Sequence, residues 1–242
     1  MPRILVDLTH NEAYKRIPSG IFGLDWIFDF IPLGDPFPTF DGLKMYDLVI
    51  MGEIIPASNE QDHLFLKSEV EAIKKYVYTG GKLLLTTSSG GDSEYKASKG
   101  SIRCLKTVTG VIRYWWGELF MERKGLYYER PENLIIPKLP EHAIFKDIRA
   151  LLLVDSTFLE PSDDEDVDVL LRTKRGTEFR YYEDDDTQML DAVPLIVSKS
   201  FGYGRSLTIG SSFFMTDHKL YGYRALDNRR FFLNILNWLI GS

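Results

Sequence analysis

Three short stretches of this chain carry side chains able to do chemistry. The first is Thr87-Ser88-Ser89-Gly90-Gly91-Asp92, which follows the apolar run Leu83-Leu84-Leu85. A hydroxyl at a sharp turn after a strand can act as a nucleophile if a base takes its proton and backbone amides hold the oxyanion that forms. Gly90 and Gly91 would let the chain bend and present such amides. The small residue that stands two places before a hydrolase serine is missing, because Thr86 or Thr87 occupies that place. The competing reading is a capped turn whose hydroxyls bond its own backbone. Gly90-Gly91-Asp92 lacks the lysine and spacing of a phosphate loop, so as an anion cradle it offers only amides, and Asp92 also fits a helix cap.

The second stretch is Asp7-Leu8-Thr9-His10-Asn11-Glu12 and the third is Thr216-Asp217-His218. His10 with Glu12 or Glu53 has the residue types of an acid–base or metal pair. A histidine bonded to a loop carbonyl is the alternative, and His218 faces the same choice. A binding cleft built from these pieces would be lined by His10, Glu53, Ser88, Ser89, Gly90, Gly91 and Asp217. An enzyme in the same place would use Ser88, Ser89, His10 and His218. His63 and His142 sit in polar or proline-rich surroundings and receive no role. No metal site and no cofactor are expected.

These residues need a scaffold, and the hydrophobic pattern supplies one. Residues 4–8, 46–52 and 83–87 are compact apolar runs of the kind that form strands buried on both faces. Glu53 stands just past the second. Between the second and third runs, Ser68-Glu69-Val70-Glu71 reads as a capping box, with Val70, Ile73, Tyr76 and Val77 at helical spacing and Gly80-Gly81 as the stop. Strand, loop, strand, helix, strand is the pattern of parallel crossovers. Residues 26–30 read as the end of a short helix, after which Pro32, Pro36 and Pro38 enforce a loop. Residues 98–110 read as a helix carrying Ile102, Leu105 and Val108. Tyr114-Trp115-Trp116 is either core packing or a partner surface. Glu141 to Phe145 reads as a turn that docks a phenylalanine, and 151–154 and 167–171 read as strands. Residues 194–199 and 205–209 flank Phe201-Gly202-Tyr203-Gly204 as a hairpin. Asp227-Asn228 caps or ties a last helix that buries Phe231, Phe232, Ile235, Leu236, Leu239 and Ile240. With no repeat and no linker, residues 1–242 read as one α/β domain.

Bulk properties narrow the function classes. The chain has 242 residues, 44% of them hydrophobic, and a formal net charge of −6. That balance argues against nucleic acid and anionic membranes as partners. The acid is concentrated at Asp163-Asp164-Glu165-Asp166 and Glu183-Asp184-Asp185-Asp186, which read as solvated loop tips or, less simply, as cation ligands without the glycine of an EF-hand. The single cysteine, Cys104, excludes an internal disulfide and a zinc pair and fits a reducing, cytoplasmic compartment. No stretch is apolar enough for a signal segment or a membrane span.

The order of elements resembles the class I glutamine amidotransferase-like fold, a flavodoxin-like and mostly parallel sheet with helices on both faces. The likeness is greatest to its non-enzymatic branches, which include the GIFT domain of intraflagellar-transport proteins and related prokaryotic domains. It is carried by Asp7-Leu8-Thr9-His10-Asn11-Glu12, residues 46–52, residues 69–91, residues 204–214, Asp227-Asn228 and residues 234–239, and it is weakest from 93 to 190. In catalytic members a cysteine occupies the turn where this chain has Thr87, Ser88 and Ser89, and a His-x-Glu pair lies near the last strand. Here Cys104 lies outside the turn and Asp217-His218 has no glutamate two residues on. The resemblance therefore implies that glutamine hydrolysis is lost. It implies a domain that binds a protein partner or a small ligand, a homodimer being one such arrangement. A serine- or metal-dependent hydrolase in the same cleft is the alternative.

Overall fold

A computed structural model describes residues 1–10, 17, 26–52, 65–89, 102–182 and 186–241. In chain order its elements are β1 (Arg3–Asp7), β2 (Ile27–Ile31), α1 (Phe40–Leu43), β3 (Leu48–Met51), α2 (Lys67–Tyr78), β4 (Lys82–Thr86), α3 (Lys106–Thr109), β5 (Val111–Tyr114), β6 (Gly117–Phe120), β7 (Tyr127–Tyr128), β8 (Arg130–Pro137), β9 (Ala150–Leu153), β10 (Leu159–Pro161), β11 (Val167–Arg172), β12 (Thr177–Tyr181), β13 (Thr187–Leu190), β14 (Pro194–Phe201), β15 (Gly204–Ile209) and α4 (Asn228–Ile240). Seven strands form the central sheet in the order β11-β14-β15-β4-β3-β1-β2. The five from β15 to β2 are parallel, and β14 and β11 run antiparallel to their neighbours. This is the expected flavodoxin-like α/β architecture with its C-terminal hairpin, β14–β15.

The three apolar runs are its middle. Successive side chains of a strand point to opposite faces, so Ile4, Val6, Leu48, Ile50 and Leu84 enter one core. Leu5, Val49, Met51, Leu83 and Leu85 enter the other. Full burial of each such side chain is worth about 1.5–3 kcal/mol, which makes a register slip in these strands costly. α4 covers the first face with Phe231, Phe232, Ile235, Leu236 and Leu239. α2 covers the second with Val70, Ile73, Tyr76 and Val77. Gly80, with φ of +117°, ends α2, and Gly202, with φ of +62°, makes the β14–β15 turn. A Cβ at Gly202 would sit 2.4 Å from the Tyr78 carbonyl oxygen, so only glycine lets the hairpin turn close onto the end of α2.

Three sequence expectations are corrected. Residues 26–30 do not end a helix: β2 is the edge strand, with Ile4 opposite Phe28. Its apolar residues gain more by extending the sheet beside β1 than a helix of that length could gain from its own bonds. The capping box is displaced, because the residue preceding α2 is Leu66 and it is Glu69 that accepts its N–H, at 2.6 Å. Glu71 instead pairs with Lys74 at 3.0 Å. The helix over 98–110 shrinks, within the described residues, to a 3-10 turn at Ile102–Leu105 followed by α3, and stops at Gly110 with φ of +68°.

Between β4 and β14 the chain builds three small sheets, β10-β5, β13-β12-β6 and β7-β8-β9. Tyr114 is fully buried there. Trp115 stacks on Phe158, with ring centres 5.1 Å apart, and Trp116 meets Tyr182 edge to face. Tyr114 is therefore core, whereas Trp115 and Trp116 are half-buried. Asp227 does not cap α4 with its side chain; its carboxylate accepts the Arg149 and Ala150 amides. Asn228 bonds both the N–H and the carbonyl of Leu152. The pair therefore ties the head of α4 to β9.

Candidate functional site

The carboxyl ends of β1, β3, β4 and β15 lie along one rim of the sheet, where open α/β folds bind ligands. The three chemical stretches all reach this rim, with different outcomes.

At the end of β1, Asp7 is fully buried. Its Oδ1 accepts the Thr9 N–H and hydroxyl at 2.9 and 2.8 Å. Its Oδ2 forms a short hydrogen bond with His10 Nδ1. His10 Nε2 lies 3.4 Å from Glu69 Oε2. The imidazole stacks on Phe65 with centroids 4.2 Å apart and meets Phe37 edge-on. Both ring nitrogens are thus committed to carboxylates, and the side chain is 3% exposed. The Asp-x-x-His spacing predicts the Asp7 contact because i and i+3 come together in a turn. Nothing local predicts Glu69, which lies 59 residues away. Glu12 and Glu53, the partners proposed from sequence, lie outside the described residues.

At the end of β4, Thr87 continues the ladder by donating to the Ile209 carbonyl at 3.0 Å. The Ser89 N–H donates to the Asp155 carbonyl at 2.8 Å, and the Ser89 carbonyl accepts from Gly117 at 3.0 Å. The Ser89 side chain lies near the Tyr182 hydroxyl and favours its ionised form, and Ser88 is buried, 5% exposed. In a nucleophile elbow the amide after the serine holds the oxyanion. For Ser88 that amide is Ser89 N–H, which is already given to Asp155. Gly90, Gly91 and Asp92 lie outside the described residues.

The same Asp155 belongs to an open cleft of about 360 Å³ lined by Arg130, Glu132, Asn133, Val154, Phe213, His218 and Tyr221. Asp155 follows β9 with φ of +46°, in the left-handed region. Burial first, and then the nearby Glu132 carboxylate, push its pKa up. Glu118 on β6 is pushed up by burial, Glu132 and Asp155, with Arg180 opposing. Arg180 stands directly opposite Glu118 across β6 and β12. Burial also raises Tyr182, with the nearby Ser89 side chain opposing and Glu118 and Asp155 adding to it. Carboxylates held away from their ordinary range in a concave site are a mark of binding or catalysis.

His218 stands at the edge of this cleft. Its Nδ1 accepts the amides of Leu220 and Tyr221 at 3.4 and 3.3 Å. That leaves Nε2 as the nitrogen carrying the proton of a neutral ring. The ring stacks on Tyr221 at 4.9 Å and 6°, and the Tyr221 hydroxyl donates to Glu129 at 2.6 Å. Asp217 is exposed beside it.

Ser89, through Asp155, is therefore brought to the cleft that holds His218, whereas His10 is held apart in its own packed cluster. Arg130, Glu132, Asp155 and Tyr221 complete the cleft, Glu118 and Tyr182 stand close enough to Asp155 to feel its charge, and none of the six was singled out from sequence. The one available signal was Asp155 directly after the strand-like run 151–154. No group of three or more His, Cys, Asp or Glu among the described residues is arranged to hold a metal ion. No described helix is long and apolar enough to cross a membrane.

No family model and no curated protein matches the sequence. Solved structures do match the fold. The N-terminal domain of mmIFT52 superposes with a TM-score of 0.75 at 16% identity, over 99% of this chain and 98% of that one. A ThuA-like protein from Bacteroides uniformis gives 0.62 at 14% identity, over 99% and 91%. A cytoplasmic protein from Salmonella typhimurium gives 0.58 at 18% identity, over 99% of both chains. The weakly matching stretch from 93 to 190 is thus part of a shared architecture, and the chain has the fold of the mmIFT52 N-terminal domain and of the ThuA-like protein.

Proposed function

We propose that this chain is a non-catalytic binding domain whose ligand, a small polar molecule, occupies the cleft formed by Arg130, Glu132, Asp155, His218 and Tyr221. The observation that carries this reading is the 2.8 Å bond from Ser89 N–H to the Asp155 carbonyl. It spends, on a structural contact, the amide that Ser88 would need to stabilise an oxyanion. The engagement of both His10 nitrogens by carboxylates points the same way. The cleft volume lies at the lower end of the range for small-ligand sites. Its mixture of guanidinium, carboxylate and amide suits a ligand that both donates and accepts hydrogen bonds.

Treatment of the full chain with a fluorophosphonate probe, read by mass spectrometry, is expected to leave Ser88 and Ser89 unmodified. Stoichiometric labelling of either serine would overturn the non-catalytic reading and favour the hydrolase. The location of the ligand is tested by thermal shift against a panel of small polyols, amines and amino acids. A rise in Tm should be lost when Arg130→Ala and His218→Ala are combined; a rise that survives both places the ligand elsewhere.

A further inference from the structure

A second cleft, sharing no lining residue with the first, lies where β11, β14 and the start of β15 meet α4. It encloses about 450 Å³. Strand alternation explains its lining. Ser198 stands opposite Leu207 and Ser200 opposite Arg205 on the face that packs against α4, and Asp168 stands opposite Ser198. His142 reaches it from the turn that precedes the 3-10 segment Ala143–Phe145, and Trp238 from α4.

Three hydrogen-bond donors line this cleft without a protein acceptor among the described residues. The Arg205 guanidinium lies over the Trp238 ring, 4.8 Å from its centre, and has no carboxylate within ion-pair distance. The His142 Nδ1 accepts the Ile144 N–H at 3.3 Å, which assigns the proton of the neutral ring to Nε2. Burial first, and Arg205 last, push the His142 pKa down, while Asp168 opposes them. Ser198 is only 7% exposed, and its hydroxyl lacks a partner among the described residues. The remaining charged neighbours do not fill the site. Lys199 is committed to Asp164 and Asp166 at 2.7 and 3.2 Å. Lys82, opposite Arg205 on β4, adds positive charge. Asp168, in an exposed position, is the one carboxylate among the lining residues.

A guanidinium stacked on an aromatic face keeps its edge free for two parallel bonds to a carboxylate. We propose that this cleft binds a small carboxylate bearing a neighbouring hydroxyl or ammonium group. The carboxylate oxygens meet Arg205, His142 Nε2–H and the Ser198 hydroxyl, and Asp168 accepts from the neighbouring donor. Asp168 also selects against dianions such as phosphate, which would bring like charge to it.

The test is an NMR titration of the full chain with glycolate and with acetate, following the Trp238 indole and His142 ring signals. Glycolate is expected to shift both saturably and to raise the pH midpoint of His142, because a bound anion favours the imidazolium. Acetate, lacking the donor to Asp168, should bind about tenfold more weakly, the value of one such bond. Asp168→Asn should narrow that difference, and Arg205→Ala should abolish both responses. Ser198→Ala, which removes only one donor, serves if Arg205→Ala does not fold, and should weaken glycolate binding about tenfold. The absence of a saturable shift would overturn the proposal. So would equal affinity for the two acids, or a response unchanged in Arg205→Ala, or in Ser198→Ala where that variant stands in.

Discussion

His10 and His218 each follow a parallel strand of the same sheet, β1 and β15, and both were candidates for the same chemistry. Their surroundings make them opposites. His10 is enclosed by Phe37 and Phe65, with Asp7 on one nitrogen and Glu69 on the other. It serves to hold β1, α2 and the loop of Phe37 together around a buried carboxylate. His218 gives one nitrogen to two backbone amides and presents its ring to a cleft. A histidine whose nitrogens are both used inside the protein stabilises the fold; one with a nitrogen facing open space can serve a ligand. Burial and the partner count separate the two roles, whereas residue type and position after a strand do not.

The comparison is best broken at His10. His10→Ala leaves Asp7 buried without its imidazole and opens space between two phenylalanines. Removing one partner of a buried pair costs about 3–5 kcal/mol, so urea unfolding should show a loss of that size or failure to fold. A loss below about 1 kcal/mol would mean that the cluster does not hold the rim together.

Ser89→Ala sharpens the intermediate case. It removes the hydroxyl beside Tyr182 but leaves the backbone bonds to Asp155 and Gly117 in place. The expected cost is about 1 kcal/mol in the same assay.

Asp155→Asn should act in the opposite direction. The folded pKa of Asp155 is raised by burial and Glu132, so in the native state the charged form is penalised. Folding then binds protons, and wild-type stability rises as the pH falls from neutral through that raised pKa toward the unfolded value. The asparagine variant should therefore be more stable than wild type at pH 7, and the gap should close on acidification. A gap that grows as the pH falls would contradict this assignment. Extra stability from neutralising a site residue is the usual trade-off of a surface kept for binding.

The smallest effect belongs to His218→Ala, expected to change stability by no more than about 0.5 kcal/mol while weakening any ligand of the first cleft. A cost comparable to that of His10→Ala would erase the distinction between the two histidines.

How far the sequence could be read depends on the range of the interactions involved. The strands at 4–8, 46–52 and 83–87, the stripe of α2 and the apolar face of α4 are legible because periodicity is local and burial on both faces demands unbroken apolar runs. β2 was misread because an edge strand is half-exposed and short, so its pattern is shared with a helix end. The acidic run at 163–166 is an exposed tip, as the charge block predicts. What the sequence does not show is that Asp164 and Asp166 also pair with the Lys199 ammonium, which is 6% exposed, a contact that crosses more than thirty residues. Thr87, Ser88 and Ser89 do follow β4, but whether their amides are free was not legible, because the group that occupies the Ser89 amide is a backbone carbonyl at position 155 and carries no side-chain signal.

By itself, then, the sequence determined the α/β class, the parallel middle of the sheet, the absence of a cysteine from Thr87-Ser88-Ser89 and the placing of three polar stretches near one rim. These follow from hydrophobic period and residue identity, which each position states for itself. Tertiary structure alone decided which stretch became a packed cluster and which became a cleft. It also decided that Arg205, His142 and Ser198 share a second one. Those outcomes depend on which distant groups arrive within hydrogen-bonding distance, and a donor's availability is set by its neighbours in space rather than by its neighbours in the chain.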